Sequence, residues 1–310
     1  MGTLVGHVAP GFGFLLIGLW HLLNHTKFQA LNPNTYTSLP WFPSPKLKHL
    51  ELILIMLGST ISIAMELFIG PERHQPFDPD GTIPSNHLHN FEHASISLTF
   101  FIYAFFAMLF DRVQAKSKDT MTQLLGALAF GQQLLLFHLH SSDHMGVEGQ
   151  YHWLLQIVIF ISLSTTLLSM AFPNSFSVSF VRSASIAFQG VWFIVMGYAL
   201  WTPEFIAKGC FMNLEEGHRV VRCHDDESLH RAKSLVNIQF SWFTACFAVF
   251  LMVFYLIINR KYSESQEYVS LENSSVEEDD QDLEAQKKLQ EMASFVHMGK
   301  GLMRSIDLER

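Results

Sequence analysis

The chain has 310 residues, 49% of them hydrophobic and only 15% charged, with a formal net charge of −8. Soluble domains carry about a quarter charged residues, so this composition, with 28 phenylalanines and a mean hydropathy of +0.21, marks a multi-span membrane protein. The acidic excess comes mostly from the C-terminal tail, and no stretch has the basic surface of a nucleic-acid-binding protein.

A helix that crosses a bilayer needs about 20 mostly apolar residues. Seven segments meet that need. The first covers about 4–23, where Pro10 and the early glycines predict a kinked or closely packed helix. It ends in WHLLNH, with His21 and His25 one turn apart. The loop that follows holds Trp41 and Phe42, which the pattern places at the membrane interface. The second span, about 49–69, carries Glu66 near its end, and PERHQPFDPDGTIPSN is then loop.

The third span runs from Asn86, read as an N-cap, to about Phe110. In it His89, Glu92 and His93 fall at i, i+3 and i+4 and share one helical face. The fourth covers about 121–140 and carries Gln132, Gln133, His138 and His140. The two glutamines read as hydrogen-bonding groups toward a neighbouring helix. The fifth, about 148–171, opens with Glu148 and His152, which also share a face. The sixth, about 178–201, has Arg182 near its start, where a long cationic side chain is expected to snorkel to the interface.

Residues 202–233 read as a polar loop with Cys210 and Cys223, which can pair in an oxidising compartment, although spacing alone does not show proximity. The seventh span covers about 235–258, begins with Asn237 and Gln239, and places Cys246 as a packing residue. The expected architecture is therefore all-α: a polytopic seven-helix transmembrane bundle over 1–260. An acidic cytosolic tail follows over 261–310, largely disordered but with a short amphipathic helix.

Lys and Arg set the orientation. Lys27, Lys46, Lys48, Arg112, Lys116, Lys118, Arg260 and Lys261 fall on the side of the C-terminus, against Arg73 in the short loops of the other side. The C-terminus is then cytosolic and the N-terminus outside or lumenal, in the plasma membrane or the secretory pathway. Under this topology the sequons at Asn24 and Asn273 stay unglycosylated.

The same topology gathers His7, Glu66, His87, His89, Glu92, His93, His138, His140, Asp143, His144, Glu148 and His152 at the non-cytosolic ends of the spans. Ionisable groups at membrane depth are costly, so a concentration of this kind points to function. Imidazoles suit zinc, copper and iron, and added carboxylates favour zinc or iron. The expected ligands to a divalent transition metal, zinc before iron, are His89, His93, His140, His144 and His152. Glu92 and Glu148 stand as ligands or catalytic bases. His138, Asp143 and Glu66 are better placed to orient the ligands. The bland reading of such groups is a structural network of interhelical hydrogen bonds, each worth about a kcal/mol.

The segments GHVAPGFGFLLIGLWH, FEHASIS, FHLHSSDHMGVEGQYH and SLVNIQFSW together resemble the transmembrane protein 45 family, in particular its plant, virus-response-like branch. The resemblance covers about 1–260. It implies a seven-helix membrane protein and supplies neither an activity nor catalytic residues.

Three functions follow from the residues. The first is a metal-dependent enzyme, hydrolase or oxidoreductase, acting on a membrane lipid or another amphipathic substrate. The second is a metal-ion or proton transporter, in which His21, His25 and Glu51 could form an inner gate. The mid-membrane zone reads as poor in polar groups, which weighs against it. The third is a sorting or structural protein whose tail engages adaptor proteins through the Tyr268-Val-Ser-Leu271 pattern.

Overall fold

The computed structural model describes residues 3–70, 74–143, 146–215 and 218–263, and for 140–143 and 218 the backbone only. The chain divides into two units, Met1–Ile258 and Asn259–Arg310. The tail pattern at Tyr268 and the expected amphipathic helix lie outside the described residues.

Helix α1 spans Leu4–Leu31, and α2 spans Leu50–Ala64 and passes into a π turn over Met65–Ile69. Helices α3 to α6 cover Leu88–Arg112, Lys118–Asp143, Val147–Ala171 and Phe176–Trp201. Helix α7 runs over Asp226–Ser263. Among the described residues, six of these helices are long and apolar enough to cross a membrane. The exception, α4, is as long as its neighbours, but Gln123, Gln132, Gln133, His138 and His140 dilute its apolar character.

The expected polar loop at 202–233 is instead largely ordered. Strands β1, Cys210–Glu215, and β2, His218–Cys223, form an antiparallel hairpin with Cys210 opposite Cys223, and a disulfide joins the two. The fold is therefore helical with one small hairpin rather than purely all-α. The hairpin sits where α6 ends and α7 begins, and that side is called here the hairpin end. The starts of α1, α3 and α5 share it, and the starts of α2, α4 and α6 lie at the far end.

The tightest helix pair is α1 with α6, and glycine makes it possible. A Cβ placed on Gly18 would lie 2.2 Å from the Ala187 backbone nitrogen, and one on Gly190 would lie 2.3 Å from that of Leu15. Small residues allow membrane helices to meet backbone to backbone. On α1 the residues His7, Gly11, Phe14, Gly18, His21 and His25 recur at alternating steps of three and four, the spacing of one inward stripe.

Several expectations are corrected. Trp41 and Phe42, in the segment between α1 and α2, are buried at 8% and 6% exposure rather than interfacial. Asn86 is not an N-cap: a 3-10 turn over Ser85–His87 precedes α3, whose first turn His87 leads. Cys246 is exposed on the outer surface of α7 rather than packed inside.

Arg182 does not snorkel. It is 3% exposed and donates to the Leu39 carbonyl at 2.7 Å and to His25 Nε2 at 3.1 Å. A buried cation needs partners, and α1 and the segment after it supply one each. The middle of the bundle is also less apolar than the sequence suggests, because Gln133, Gln156, Ser162, Ser185 and Gln189 are buried there.

Candidate functional site

The histidine-rich end is assembled by five helices. On α1, the start at Thr3 carries a side-chain cap to the Gly6 amide and brings His7 beneath the hairpin end, where its ring stacks on Trp201 at 4.3 Å. The ring of His152, on α5, lies 6.0 Å from that of His7. The ring of Phe137, on α4, stacks against that of His93 of α3 (6.4 Å) and that of His152 (5.7 Å). The α3, α4 and α5 ends therefore meet, as the topology argument requires.

Glu66 enters from α2 because of the π turn, in which the Gly70 amide reaches back five residues to Met65 O at 2.7 Å. Such one-residue expansions of a helix occur often at functional sites. Here the expansion lies beside Asn90 and His93. Asn90 Nδ2 donates to Glu66 Oε2 at 2.9 Å and to the Glu66 carbonyl at 3.1 Å, and His93 Nδ1 lies 3.3 Å from Glu66 Oε1.

The ring nitrogens follow one pattern. His7 Nδ1 lies 3.0 Å from the Thr3 carbonyl and His152 Nδ1 lies 3.0 Å from the Glu148 carbonyl, each four residues back on its own helix. A carbonyl oxygen only accepts, so both Nδ1 atoms carry hydrogen, and in the neutral ring Nε2 holds the lone pair. The same nitrogen points to oxygen elsewhere: His93 to Glu66, His89 to Glu92 at 3.1 Å, and His138 to Gln156 Oε1 at 3.1 Å. A fixed Nδ1–H with Nε2 as the donor atom is the arrangement that outer partners impose on metal-ligating histidines.

Of the expected ligands, His93 and His152 come together around Phe137. His89 stands further out on the first turn of α3, paired with Glu92, their side chains 39% and 30% exposed. His144 lies outside the described residues, and for His140 and Asp143 only the backbone is given. Glu148 is 6% exposed at the start of α5. Among the described residues, no group of three or more His, Cys, Asp or Glu side chains is arranged to hold a metal ion.

His7 belongs to this end although a single membrane-end histidine reads as interfacial. The signal that finds it is the seven-residue stripe it shares with Phe14 and His21 along α1. In the hairpin, Glu215 grips Arg222 through Nε at 2.7 Å and through Nη2. That carboxylate first, and the charge of Glu148 at longer range, raise the Arg222 guanidinium above its ordinary value.

Beside this end lies an apolar groove of about 690 Å³ between α5, α6, α7 and the hairpin, with Val147, Tyr151, Tyr198, Val221, Gln239 and Trp242 in its walls. Tyr151, between Glu148 and His152 in sequence, donates to Gln239 Oε1 at 2.7 Å across it.

Residues 119–256 match a family model described as "Family of unknown function (DUF716)". The match takes in α4 to α6, the hairpin and most of α7, so it covers Phe137, His152 and the groove, while His7, Glu66 and His93 lie before it. The chain is also similar to Transmembrane epididymal protein 1A of Mus musculus, at 25% identity over 218 residues, 66% of this chain and 68% of that protein. With six helices able to cross a membrane, the chain is a multi-pass membrane protein.

Proposed function

We propose that this chain is a seven-span membrane protein that binds a divalent transition metal, zinc before iron, at its histidine-rich end. His93 and His152 are the central ligands, His7 joins them, and His89, His140 and His144 stand as further ligands. One observation supports this most: Nδ1 of His7, His93 and His152 is tied to an oxygen, which leaves Nε2 as the ligating nitrogen on three rings from three helices. Glu66 then orients His93 rather than ligating.

A zinc ion held by three protein ligands supplies a bound water that ionises near neutral pH. The role fitting Glu148 is that of base, since it is a buried carboxylate on the same helix as His152. The apolar groove beside Tyr151 favours an amphipathic substrate reached from the lipid. Cys210 and Cys223 are bonded, and disulfides persist in oxidising compartments. Together with the Lys and Arg bias, this supports a hairpin end facing outside or a lumen and a cytosolic C-terminus.

The test is metal analysis of the purified full-length protein. About one equivalent of zinc or iron per chain is expected, lost in the His93→Ala/His152→Ala double variant and retained in His49→Ala. Protein lacking any transition metal after purification without chelator, and failing to take up added zinc, sinks the proposal.

A further inference from the structure

The middle of the bundle contains unsatisfied polar atoms where an inert core would have none. Gln133 on α4 and Gln189 on α6 are both fully buried, and neither the Oε1 nor the Nε2 of either has a partner among the described residues. Helical spacing places Gln133 on the face of Phe130 and Phe137, and Gln189 on the face of Phe193. Phe137 and Phe193 touch, with ring centroids 5.9 Å apart, and each glutamine lies one turn from that contact on its far-end side. Four amide atoms without partners in one layer cost several kcal/mol. Buried polar atoms of this kind bind water, which typically makes about three hydrogen bonds.

The polar character continues toward the far end. Ser185, one turn from Gln189, accepts from Ser162 Oγ at 2.9 Å. On α1 the inward stripe leads from Phe14 through Gly18 to His21. His21 is 4% exposed, its Nε2 donates to Glu51 Oε1 at 2.6 Å, and its Nδ1 is buried without a partner among the described residues. Glu51 is held on its other oxygen by Trp20 Nε1 at 3.1 Å and by the Phe42 amide at 2.9 Å.

Two further groups face this pair. His25, its ring 6.0 Å from that of His21, accepts at Nε2 from Arg182, so its Nδ1–H donates to Tyr36 Oη at 2.8 Å and the ring stays neutral. Tyr103 lies on the α3 side and donates to the Pro40 carbonyl at 2.9 Å. Arg182, hydrogen-bonded to His25 and to the Leu39 carbonyl, is a fixed cation beside them.

We propose that this chain conducts protons across the membrane, through water held by Gln133 and Gln189 and then through the His21–Glu51 pair. A hydronium in the glutamine layer gives its proton to His21 Nδ1 while the Nε2 proton passes to Glu51 Oε1. The hydronium becomes water, the imidazole ends as its other neutral tautomer, and the carboxylate becomes a carboxylic acid. Glu51 then releases the proton at the far end, and the ring returns to its first tautomer before the next transfer. Phe14, Phe100, Phe130, Phe137 and Phe193 pack in series beside this layer, with neighbouring centroids 5.5–5.9 Å apart. Of these, Phe137 and Phe193 lie on the hairpin-end side of the glutamines and close the route there as a hydrophobic constriction, a kind of gate that opens by wetting. Nothing in the route uses the metal ligands, so it stands apart from the metal proposal.

The experiment is proton flux into liposomes that contain the full-length protein and a trapped pH-sensitive dye, under an imposed pH gradient. Flux well above that of protein-free vesicles is expected. It should fall by at least an order of magnitude in Gln133→Leu/Gln189→Leu and in Glu51→Gln, with bound zinc unchanged. Glu51→Gln keeps an oxygen for Trp20 and Phe42, so it decides the matter if the leucine pair does not fold. Flux no greater than in empty vesicles, or equal in wild type and Glu51→Gln, overturns the proposal whatever the metal content.

Discussion

Gly18→Ala is the smallest change that tests the packing on which both sites depend. The added Cβ would lie 2.2 Å from Ala187 N, 2.5 Å from its Cα and 2.7 Å from its Cβ, where ordinary contact begins at 3.4 Å. The obstacle is backbone, so no rotamer can relieve it, and the α1 and α6 axes must part by more than about 1 Å. Overpacking of this kind costs about 1–3 kcal/mol, and a rigid obstacle belongs at the upper end of that range. At about 2–4 °C per kcal/mol for a chain of a couple of hundred residues, the melting temperature in detergent should fall by about 6 °C or more. The parting also stretches the 3.1 Å bond between His25 and Arg182, which joins the same two helices. Gly13→Ala is the control: its Cβ would meet nothing within 4 Å. It removes a glycine from a helix interior, a change worth up to about 1 kcal/mol in favour. Equal melting temperatures for Gly18→Ala and Gly13→Ala would refute the close-approach argument.

Arg182→Ala leaves His25 Nε2 and the Leu39 carbonyl without their donor and should cost about 1–3 kcal/mol for each buried acceptor left unsatisfied, read as lost expression of folded protein and a lower melting temperature. Arg182→Lys keeps the charge and enough N–H donors for both acceptors but has a shorter reach, and should restore only part of it. In the hairpin, Arg222 first and then Asn213 hold the Glu215 carboxyl down at about 2. A depressed carboxyl contributes stability that is complete above its unfolded value and is lost as pH falls toward the folded one. Protease resistance of the hairpin should therefore fall on acidification toward about pH 2, and Glu215→Gln should flatten that dependence. A hydrophobic maleimide should label Cys246 in unreduced protein and all three cysteines after reduction and unfolding, as counted by intact mass. A glycosylation sequon built into the hairpin should be modified and the natural one at Asn24, near the far end of α1, should not, because that end faces the cytosol in the proposed orientation; the reverse pattern would invert the orientation.

The helices were legible because membrane spans announce themselves by length and apolar content. Most boundaries drawn from the sequence fall within a few residues of those observed. Helix α1 continues to Leu31 past the polar run from Asn24 to Lys27 because His25 and Thr26 find partners inside the bundle. The convergence of the α3, α4 and α5 ends, where His93 and His152 both pack on Phe137, was legible from alternation of the spans and from helical periodicity. The π turn at Glu66 was not, since no residue type marks one. Arg182 was misread because its partners are a backbone carbonyl and an imidazole from residues more than a hundred positions away. The hairpin was hidden by polarity: strands that pair outside the lipid need no apolar alternation. Gln133 looked like an ordinary interhelical donor and Gln189 drew no reading at all, and only the packed bundle shows both buried without partners among the described residues, one turn from the Phe137–Phe193 contact.

The segment between α1 and α2 works as a rivet. Tyr36 bonds to His25, the Ser38 amide to Pro173 O at 2.7 Å, Leu39 O to Arg182, Pro40 O to Tyr103, and the Phe42 amide to Glu51. Seven consecutive positions thus clamp α1, α2, α3, α6 and the turn before α6. An insertion or epitope tag anywhere in 36–42 would loosen five elements at once, whereas the exposed stretch at 78–83 offers a harmless place for one.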